Sequence, residues 1–213
     1  MKQVISMNRR TERVFIDTNM LFFATQYRRD DVFSWFNQLY GNIWIHVDVL
    51  EEMLDHRNRV LSEINAGRWR LFDPSRMLSS DAQLIYSAQH RAIKAALQKL
   101  DTQRAMNGQR IKHTANTGEI STLAVCLTED ARLICSNDFD IRNVVQAEHY
   151  TYIADDNSEH LIVQDSAADF CCACVAETTI TKSQVRHFFK TIFDHQETRQ
   201  RELKRLDERL TKI

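Results

Sequence analysis

Four acidic residues stand at positions from which they could act together. Asp17 directly follows the apolar run RVFI, and Asp138 follows the run RLIC after two polar residues. Glu52 lies in the first turns after the run NIWIH, and Glu119 follows Gly118 at the start of another apolar stretch. If these runs are parallel strands, the acids meet at the carboxyl edge of the sheet, where open α/β proteins bind ligands.

Carboxylates held close together repel one another, and one of them protonates unless a cation neutralises the group. A set of ligands that contains only oxygen selects a hard cation such as Mg²⁺ or Mn²⁺. One or two such ions can activate water and stabilise the leaving oxygen in phosphodiester hydrolysis. The four acids together therefore predict a Mg²⁺ or Mn²⁺ site, although each alone is better explained as a helix cap, a turn residue or a solvated helix face.

Strand-like and helix-like segments alternate along most of the chain. The predicted strands are short apolar runs at Arg13–Ile16, Asn42–His46, Trp69–Phe72, 132–135, 150–153 and 161–163. The predicted helices include 48–66, Ser80–Met106, 119–127 and 165–177. This alternation predicts an α/β fold whose central parallel sheet is covered by helices on both faces.

The composition is that of an ordinary globular protein. Hydrophobic residues make up 43% and charged residues 27% of the 213 residues, which excludes a disordered or collagen-like chain. Four glycines and one proline disfavour an all-β sandwich, because that fold needs many tight turns. The net charge of −1 provides no overall attraction to nucleic acid, so any polyanion must be held by a local basic patch.

The sequence contains neither a membrane span nor a secretion signal. No segment reaches the roughly 20 apolar residues that a span requires, and the first residues lack the apolar centre of a signal peptide. We therefore expect a cytoplasmic protein with reduced thiols and no membrane association. Cys171, Cys172 and Cys174 have helical spacing and no partner pair, which favours core packing over a zinc site.

The order and context of the four acids resemble those of PIN-domain nucleases, the family named after the PilT N-terminus. VFIDTNML at 14–21 resembles the opening strand and motif of this family. The likeness continues in order through IHVDVLEEML at 45–54, GEISTLAVCL at 118–127 and LICSNDFD at 133–140. It implies a PIN-like three-layer α/β/α fold with a central parallel sheet.

The resemblance implies that the acids are both the catalytic residues and the metal ligands. They would bind one or two Mg²⁺ or Mn²⁺ ions, and they are Asp17, Glu52, Glu119 and Asp138. Glu51 is the neighbouring alternative to Glu52. Counting from the end of the preceding strand favours Glu52.

Residues next to the acids have supporting roles in the family. The resemblance implies that Asn19 orients Asp17 by hydrogen bonding and that Thr18 supports the turn. Ser136 occupies a position where the family usually has a small hydroxyl residue. Asp140, two positions after Asp138, could assist or replace it.

The implied activity is that of a metal-dependent endoribonuclease that hydrolyses RNA and leaves a 5′-phosphate and a 3′-hydroxyl. Two alternatives remain open at this point. The chain could be a non-catalytic PIN-like module that binds RNA or protein. It could also be the toxin of a toxin–antitoxin or phage-defence pair, an alternative that depends on analogy alone.

Two regions carry cations that could hold RNA. Arg110, Lys112 and His113 lead directly into Glu119 and are candidate substrate-binding residues. The second region is the charged C-terminal part, where 182–213 predicts one long helix. We therefore expect a PIN-like domain over 1–164 and a helical extension over 165–213.

The second half of the extension has only a narrow apolar seam. Leu203, Leu206 and Leu210 are spaced three and four residues apart, which is too little for core burial and too short for a long coiled coil. We therefore expect a protruding helix that contacts a second copy of the chain or another protein and leaves its arginines available for phosphate.

Overall fold

The structure, a computed structural model, describes residues 8–109, 117–154 and 156–213. The strands in these ranges are β1 (Arg13–Ile16), β2 (Asn42–His46), β3 (Trp69–Phe72), β4 (Leu133–Cys135), β5 (Thr151–Ile153), β6 (Glu159–Leu161) and β7 (Val163–Asp165). The helices are α1 (Thr18–Gln26), α2 (Val32–Leu39), α3 (Val47–Glu52), α4 (Arg57–Asn65), α5 (Pro74–Met77), α6 (Ser80–Met106), α7 (Thr117–Thr128), α8 (Phe139–Glu148), α9 (Ala167–Glu177), α10 (Lys182–Thr191) and α11 (Gln196–Leu210).

Five strands form one parallel sheet in the order β3-β2-β1-β4-β7, which confirms the predicted α/β class. β5 and β6 form a separate antiparallel pair. From β1 the chain proceeds outwards to β3 and then crosses back to place β4 on the other side of β1. The crevice between β1 and β4 is therefore a topological switch point, the usual ligand-binding position of an open α/β sheet.

Alternate residues of the central strand face two different hydrophobic cores. Val14 and Ile16 pack with α1, α2 and the C-terminal helices, whereas Phe15 packs with α6, α7 and α8. This alternation follows from the two-residue period of a strand, and all three side chains are fully buried. Helices thus cover both faces of the sheet, an arrangement compatible with three layers.

The predicted helix over 48–66 is divided into α3, a 3₁₀ turn (Leu54–His56) and α4. Leu54 adopts a φ of 45°, a left-handed conformation that costs a non-glycine residue about 1–2 kcal/mol. The break allows α3 to end at Glu52 while α4 changes direction to pack beside β3. α3 is therefore a short helix that ends at the carboxyl edge of the sheet.

The C-terminal residues form two helices, so the prediction of one long helix over 182–213 is wrong. Arg199 donates two hydrogen bonds from its guanidinium to the carbonyl of Phe193, at 2.9 and 2.7 Å, and so satisfies a backbone acceptor just beyond the end of α10. At the other end of the pair, Lys182 donates to the carbonyl of Leu210 at 2.6 Å. α11 therefore folds back along α10.

α11 is packed against the rest of the chain and does not protrude. Its apolar seam, formed by Leu203, Leu206 and Leu210, is buried in the same core as β1. The expectation that this seam is left for a partner is therefore wrong. The division into 1–164 and 165–213 stays a prediction, and the two parts share one hydrophobic core.

In the part of the chain that the structure describes, no helix combines the length and the apolar character needed to cross a membrane. α6 has 27 residues, and several of its side chains are charged. All five cysteines are buried free thiols, which confirms the core packing predicted for Cys171, Cys172 and Cys174.

Candidate active site

The carboxyl ends of β1 and β4 place Asp17 next to Ser136. The Ser136 hydroxyl donates to Asp17 Oδ2 at 2.8 Å, and the side-chain amide of Asn19 donates to the same oxygen at 2.6 Å. The backbone N–H of Thr18 donates to Asp17 Oδ1 at 2.8 Å, so Asp17 is also the N-cap of α1. The hydrogen bond expected between Asn19 and Asp17 is thus present, and both carboxylate oxygens are held in place.

Glu52 joins three helices at this edge of the sheet. The Thr18 hydroxyl of α1 donates to Glu52 Oε2, and the Gly118 N–H of α7 donates to Glu52 Oε1 at 2.8 Å. A Cβ atom on Gly118 would lie 2.7 Å from Glu52 Oε2 and 3.1 Å from Thr18 Oγ1, so any larger residue here would displace the Glu52 carboxylate. Glu51 is exposed to solvent, and Glu52 is therefore the acid that the fold brings to the site.

Glu119 and Asp138 line one cavity of about 500 Å³. Glu119 lies in the first turn of α7, and Asp138 is the N-cap of α8, where it accepts the backbone N–H of Asp140 at 2.8 Å. Asn19 lines the same cavity, which therefore adjoins the hydrogen bonds around Asp17. A volume of this size lies within the range typical of small-molecule sites.

Asp140 is held by an ion pair with Arg104. The two side chains make a bidentate contact in which Arg104 Nη1 lies 2.9 Å from Asp140 Oδ2, and both residues line the cavity. Asp140 therefore positions the Arg104 guanidinium. Asp138, in contrast, caps α8 at the switch point of the sheet. The ion pair that holds Arg104 at the cavity joins residues 36 positions apart in the sequence.

Burial makes the ionised form of Asp17 unfavourable. Asp17 is 1% exposed, and its pKa is raised to about 7, mainly by burial and in addition by the negative charges of Glu52 and Asp138. Hydrogen bonds from Ser136 and Thr18 oppose this increase. The perturbation by Glu52 and Asp138 indicates that the three carboxylates are electrostatic neighbours.

The cluster supplies only oxygen donors, which is the chemistry that Mg²⁺ and Mn²⁺ prefer. Within the described residues, however, no three His, Cys, Asp or Glu side chains stand in an arrangement that could hold a metal ion. Both oxygens of Asp17 and both oxygens of Glu52 accept hydrogen bonds from the protein. The donor types and charge thus fit a hard cation, while the ligand geometry is not preformed.

Gln164 is a site residue that the sequence analysis missed. Its side-chain amide donates to the carbonyls of Ser136 and Asp138, each at 2.7 Å, and thereby fixes the loop after β4. Gln164 lies in β7 and is 8% exposed. No local pattern marks it, because its role depends on β7 pairing with β4.

A second buried polar cluster lies one helical turn from Glu52. His46 Nδ1 accepts the backbone N–H of Asp48 at 3.1 Å, and its Nε2 lies 3.1 Å from the Tyr86 hydroxyl. Ser121 of α7 donates its hydroxyl to Asp48. Burial lowers the pKa of His46 to about 4, so the imidazole is neutral at pH 7 and serves as the N-cap of α3.

Arg110, Lys112 and His113, the candidate substrate-binding residues, lie outside the residues that the structure describes. No protein-family model, curated protein or solved structure matches this chain. The functional interpretation therefore depends on the motifs and on the geometry described above.

Proposed function

We propose that the protein is a PIN-like, metal-dependent endoribonuclease. The acids that carry the chemistry are Asp17, Glu52, Glu119 and Asp138. The main support is their arrangement at the switch point of the sheet, where burial and neighbouring negative charge raise the pKa of Asp17 to about 7. RNA, and not DNA, is proposed as the substrate because of the resemblance to PIN-domain nucleases.

Mg²⁺ or Mn²⁺ is the proposed cofactor, and the four acids are the residues that would hold it. An opposite charge within a few ångströms favours the ionised form of a carboxyl group, so a bound cation would lower the raised pKa of Asp17. When bound, such an ion polarises water and neutralises charge on a phosphodiester.

Side chains of the protein itself orient the Asp17 carboxylate and line the space for the substrate. Asn19 and Ser136 hold the Asp17 carboxylate, while Glu119 and Asp138 line the cavity that the scissile phosphate would enter. Because the pKa of Asp17 is about 7, its ionised fraction increases between pH 6 and pH 8. At Mn²⁺ concentrations that do not saturate the site, metal binding, and with it cleavage, is therefore expected to increase over this interval.

Incubation of the purified protein with a labelled RNA and Mn²⁺ tests the proposal. We expect cleavage that EDTA abolishes and that Asp17→Asn and Glu52→Gln remove. Glu51→Gln is the matched control, because it makes the same chemical change at the exposed neighbouring position and should remain active. Cleavage that persists in EDTA and in Asp17→Asn would overturn the proposal.

A non-catalytic RNA-binding role is the second candidate. It is favoured by the finding that, over the described ranges, no three potential ligands are arranged to hold a metal ion. Calorimetric titration with Mn²⁺ separates the two roles. Binding that Asp17→Asn removes supports the nuclease, whereas RNA binding without any heat from millimolar Mn²⁺ supports the binding module.

A further inference from the structure

Phe139 is exposed beside the acidic cavity although its helix has a buried apolar face. Ile141, Val144 and Val145 of α8 are each no more than 3% exposed, whereas Phe139 is 57% exposed. Phe139 precedes Ile141 by two residues, which places it about 200° away around a helix of 3.6 residues per turn. Packing of α8 on the sheet therefore does not require an aromatic ring at this position.

The exposed ring belongs to the same cavity as the acids. Phe139 immediately follows Asp138, and both line the cavity together with Glu119. Phe23 of α1 is a second aromatic lining residue and is partly buried against the core. An apolar ring, a second aromatic side chain and carboxylates thus surround one space of about 500 Å³.

We propose that Phe139 is a stacking platform for one unpaired nucleobase next to the phosphate that enters the acidic cavity. This inference rests on the proposed function, since it takes the acids as the place of the scissile phosphate. A flat aromatic face matches the π-face that every nucleobase carries, and such stacking tolerates different base identities. The platform therefore selects for an accessible base face more than for a particular sequence.

A base within a duplex is covered on both faces by its neighbours. It must leave the stack before it can contact Phe139, and this unstacking costs a few kcal/mol. A single-stranded segment has a lower penalty, so the geometry points to an unpaired substrate. Arg104 lines the cavity as well, but its guanidinium forms the ion pair with Asp140, so base binding is assigned to the aromatic ring.

A double-mutant cycle between protein and RNA tests this contact. The probes are a labelled ten-nucleotide oligouridylate and a series of the same oligonucleotide with one abasic residue at each position in turn. Their Kd values are measured by fluorescence anisotropy at low salt in EDTA, and their kcat/KM values are measured in Mn²⁺. The variants are Phe139→Leu, which removes the π-face, and Phe139→Trp, which keeps it.

Phe139→Leu is expected to weaken binding of the intact oligonucleotide by about 5- to 150-fold, the range for loss of one base–aromatic stack. One abasic position should weaken binding to the wild type similarly but have no further effect in Phe139→Leu. Phe139→Trp should restore the wild-type pattern. Ile153→Ala, which truncates a side chain that is 61% exposed on β5, is the control and should bind like the wild type.

The outcomes separate this inference from the proposed function. Metal-dependent cleavage with equal Kd values for wild type and Phe139→Leu would overturn the stacking contact and leave the nuclease intact. The predicted coupling in EDTA without any cleavage in Mn²⁺ would support the contact and overturn the nuclease. Failure of the wild-type protein to bind the oligonucleotide under either condition would overturn the stacking contact.

Discussion

Replacement of Asp17 by asparagine keeps the shape of the side chain and removes its charge. The wild-type carboxyl group is 1% exposed, and burial raises its pKa to about 7. A group with a higher pKa in the folded state holds its proton there after the unfolded state has lost it. The wild-type protein therefore loses stability as the pH rises from about 4 to about 7.

The expected magnitude follows from the pKa and from the hydrogen bonds. The difference between a folded pKa of about 7 and the ordinary value of 3.8 corresponds to about 4 kcal/mol at 1.36 kcal/mol per pKa unit. An amide cannot accept at both positions where Asp17 now accepts, which costs about 1–2 kcal/mol. Asp17→Asn should therefore be more stable by about 2–3 kcal/mol above pH 7 and less stable by about 1–2 kcal/mol near pH 4.

Urea unfolding in EDTA between pH 4.5 and pH 8.5 measures this difference in the free energy of unfolding. Thermal unfolding gives a second measurement, in which a change of about 2 kcal/mol corresponds to about 4–8 °C in Tm. His46, whose pKa burial lowers to about 4, titrates in both proteins and cancels in the comparison. Asp156→Asn is the control, because hydrogen bonds from Ser158 lower the pKa of this exposed carboxylate. Loss of its charge should therefore decrease the stability, the opposite of the effect expected for Asp17→Asn above pH 7. A stability difference between wild type and Asp17→Asn that does not change with pH would refute the reasoning.

Three further predictions concern the contacts that assemble the site. Gly118→Ala should destabilise the protein by about 1–3 kcal/mol in urea unfolding, because its Cβ would lie 2.7 Å from Glu52 Oε2. The same change should weaken Mn²⁺ binding measured by calorimetry. Arg104→Gln should lower the free energy of unfolding in urea by about 2–3 kcal/mol, which is less than the loss for a fully buried ion pair because Arg104 is partly exposed. Addition of Asp140→Asn should restore most of the loss, because it removes the charge that the guanidinium neutralised. Truncation after Phe193 removes three buried leucines that contribute about 5–9 kcal/mol, so circular dichroism should show an unfolded chain.

Contrary results would identify which step is mistaken. An unchanged Mn²⁺ affinity in Gly118→Ala would show that Glu52 does not hold the ion. Equal stability of Arg104→Gln and the double variant would show that the Asp140 charge is tolerated without the guanidinium. A folded truncated protein would show that α11 adds little to the shared core.

The first three strands and the acids could be predicted because both depend on local patterns. β1, β2 and β3 match their predicted bounds, since each is a short run rich in apolar, β-branched or aromatic residues. The same logic located Asp17 and Asp138, because a residue that follows a buried parallel strand must lie at the carboxyl edge. Counting from the end of β2 favoured Glu52 over Glu51, and the direction of α3 agrees with this choice, because it leaves Glu51 exposed to solvent.

Features that depend on distant contacts could not be predicted. No glycine or proline marks the break at Leu54 or the break between α10 and α11, so helical periodicity continued through both. The second break is stabilised by the side chain of Arg199, which bonds backward to a carbonyl of the preceding turn. The ion pair of Arg104 with Asp140 required α6 to pack beside α8, which no local pattern indicates.

The four acids form two pairs that differ in their place in the fold. Asp17 and Glu52 accept hydrogen bonds from the end of β4, from α1 and from α7, so they join the sheet to its helices. Glu119 and Asp138 line the cavity. The raised pKa of Asp17 follows from this arrangement, because a carboxylate that joins buried elements loses the hydrating water that would compensate its charge.

A cation that binds only the folded protein should therefore stabilise it, by about 2.7 kcal/mol at a free concentration of 100 times Kd. This gain should be larger at pH 8 than at pH 6, because at the lower pH the ion must first displace the Asp17 proton.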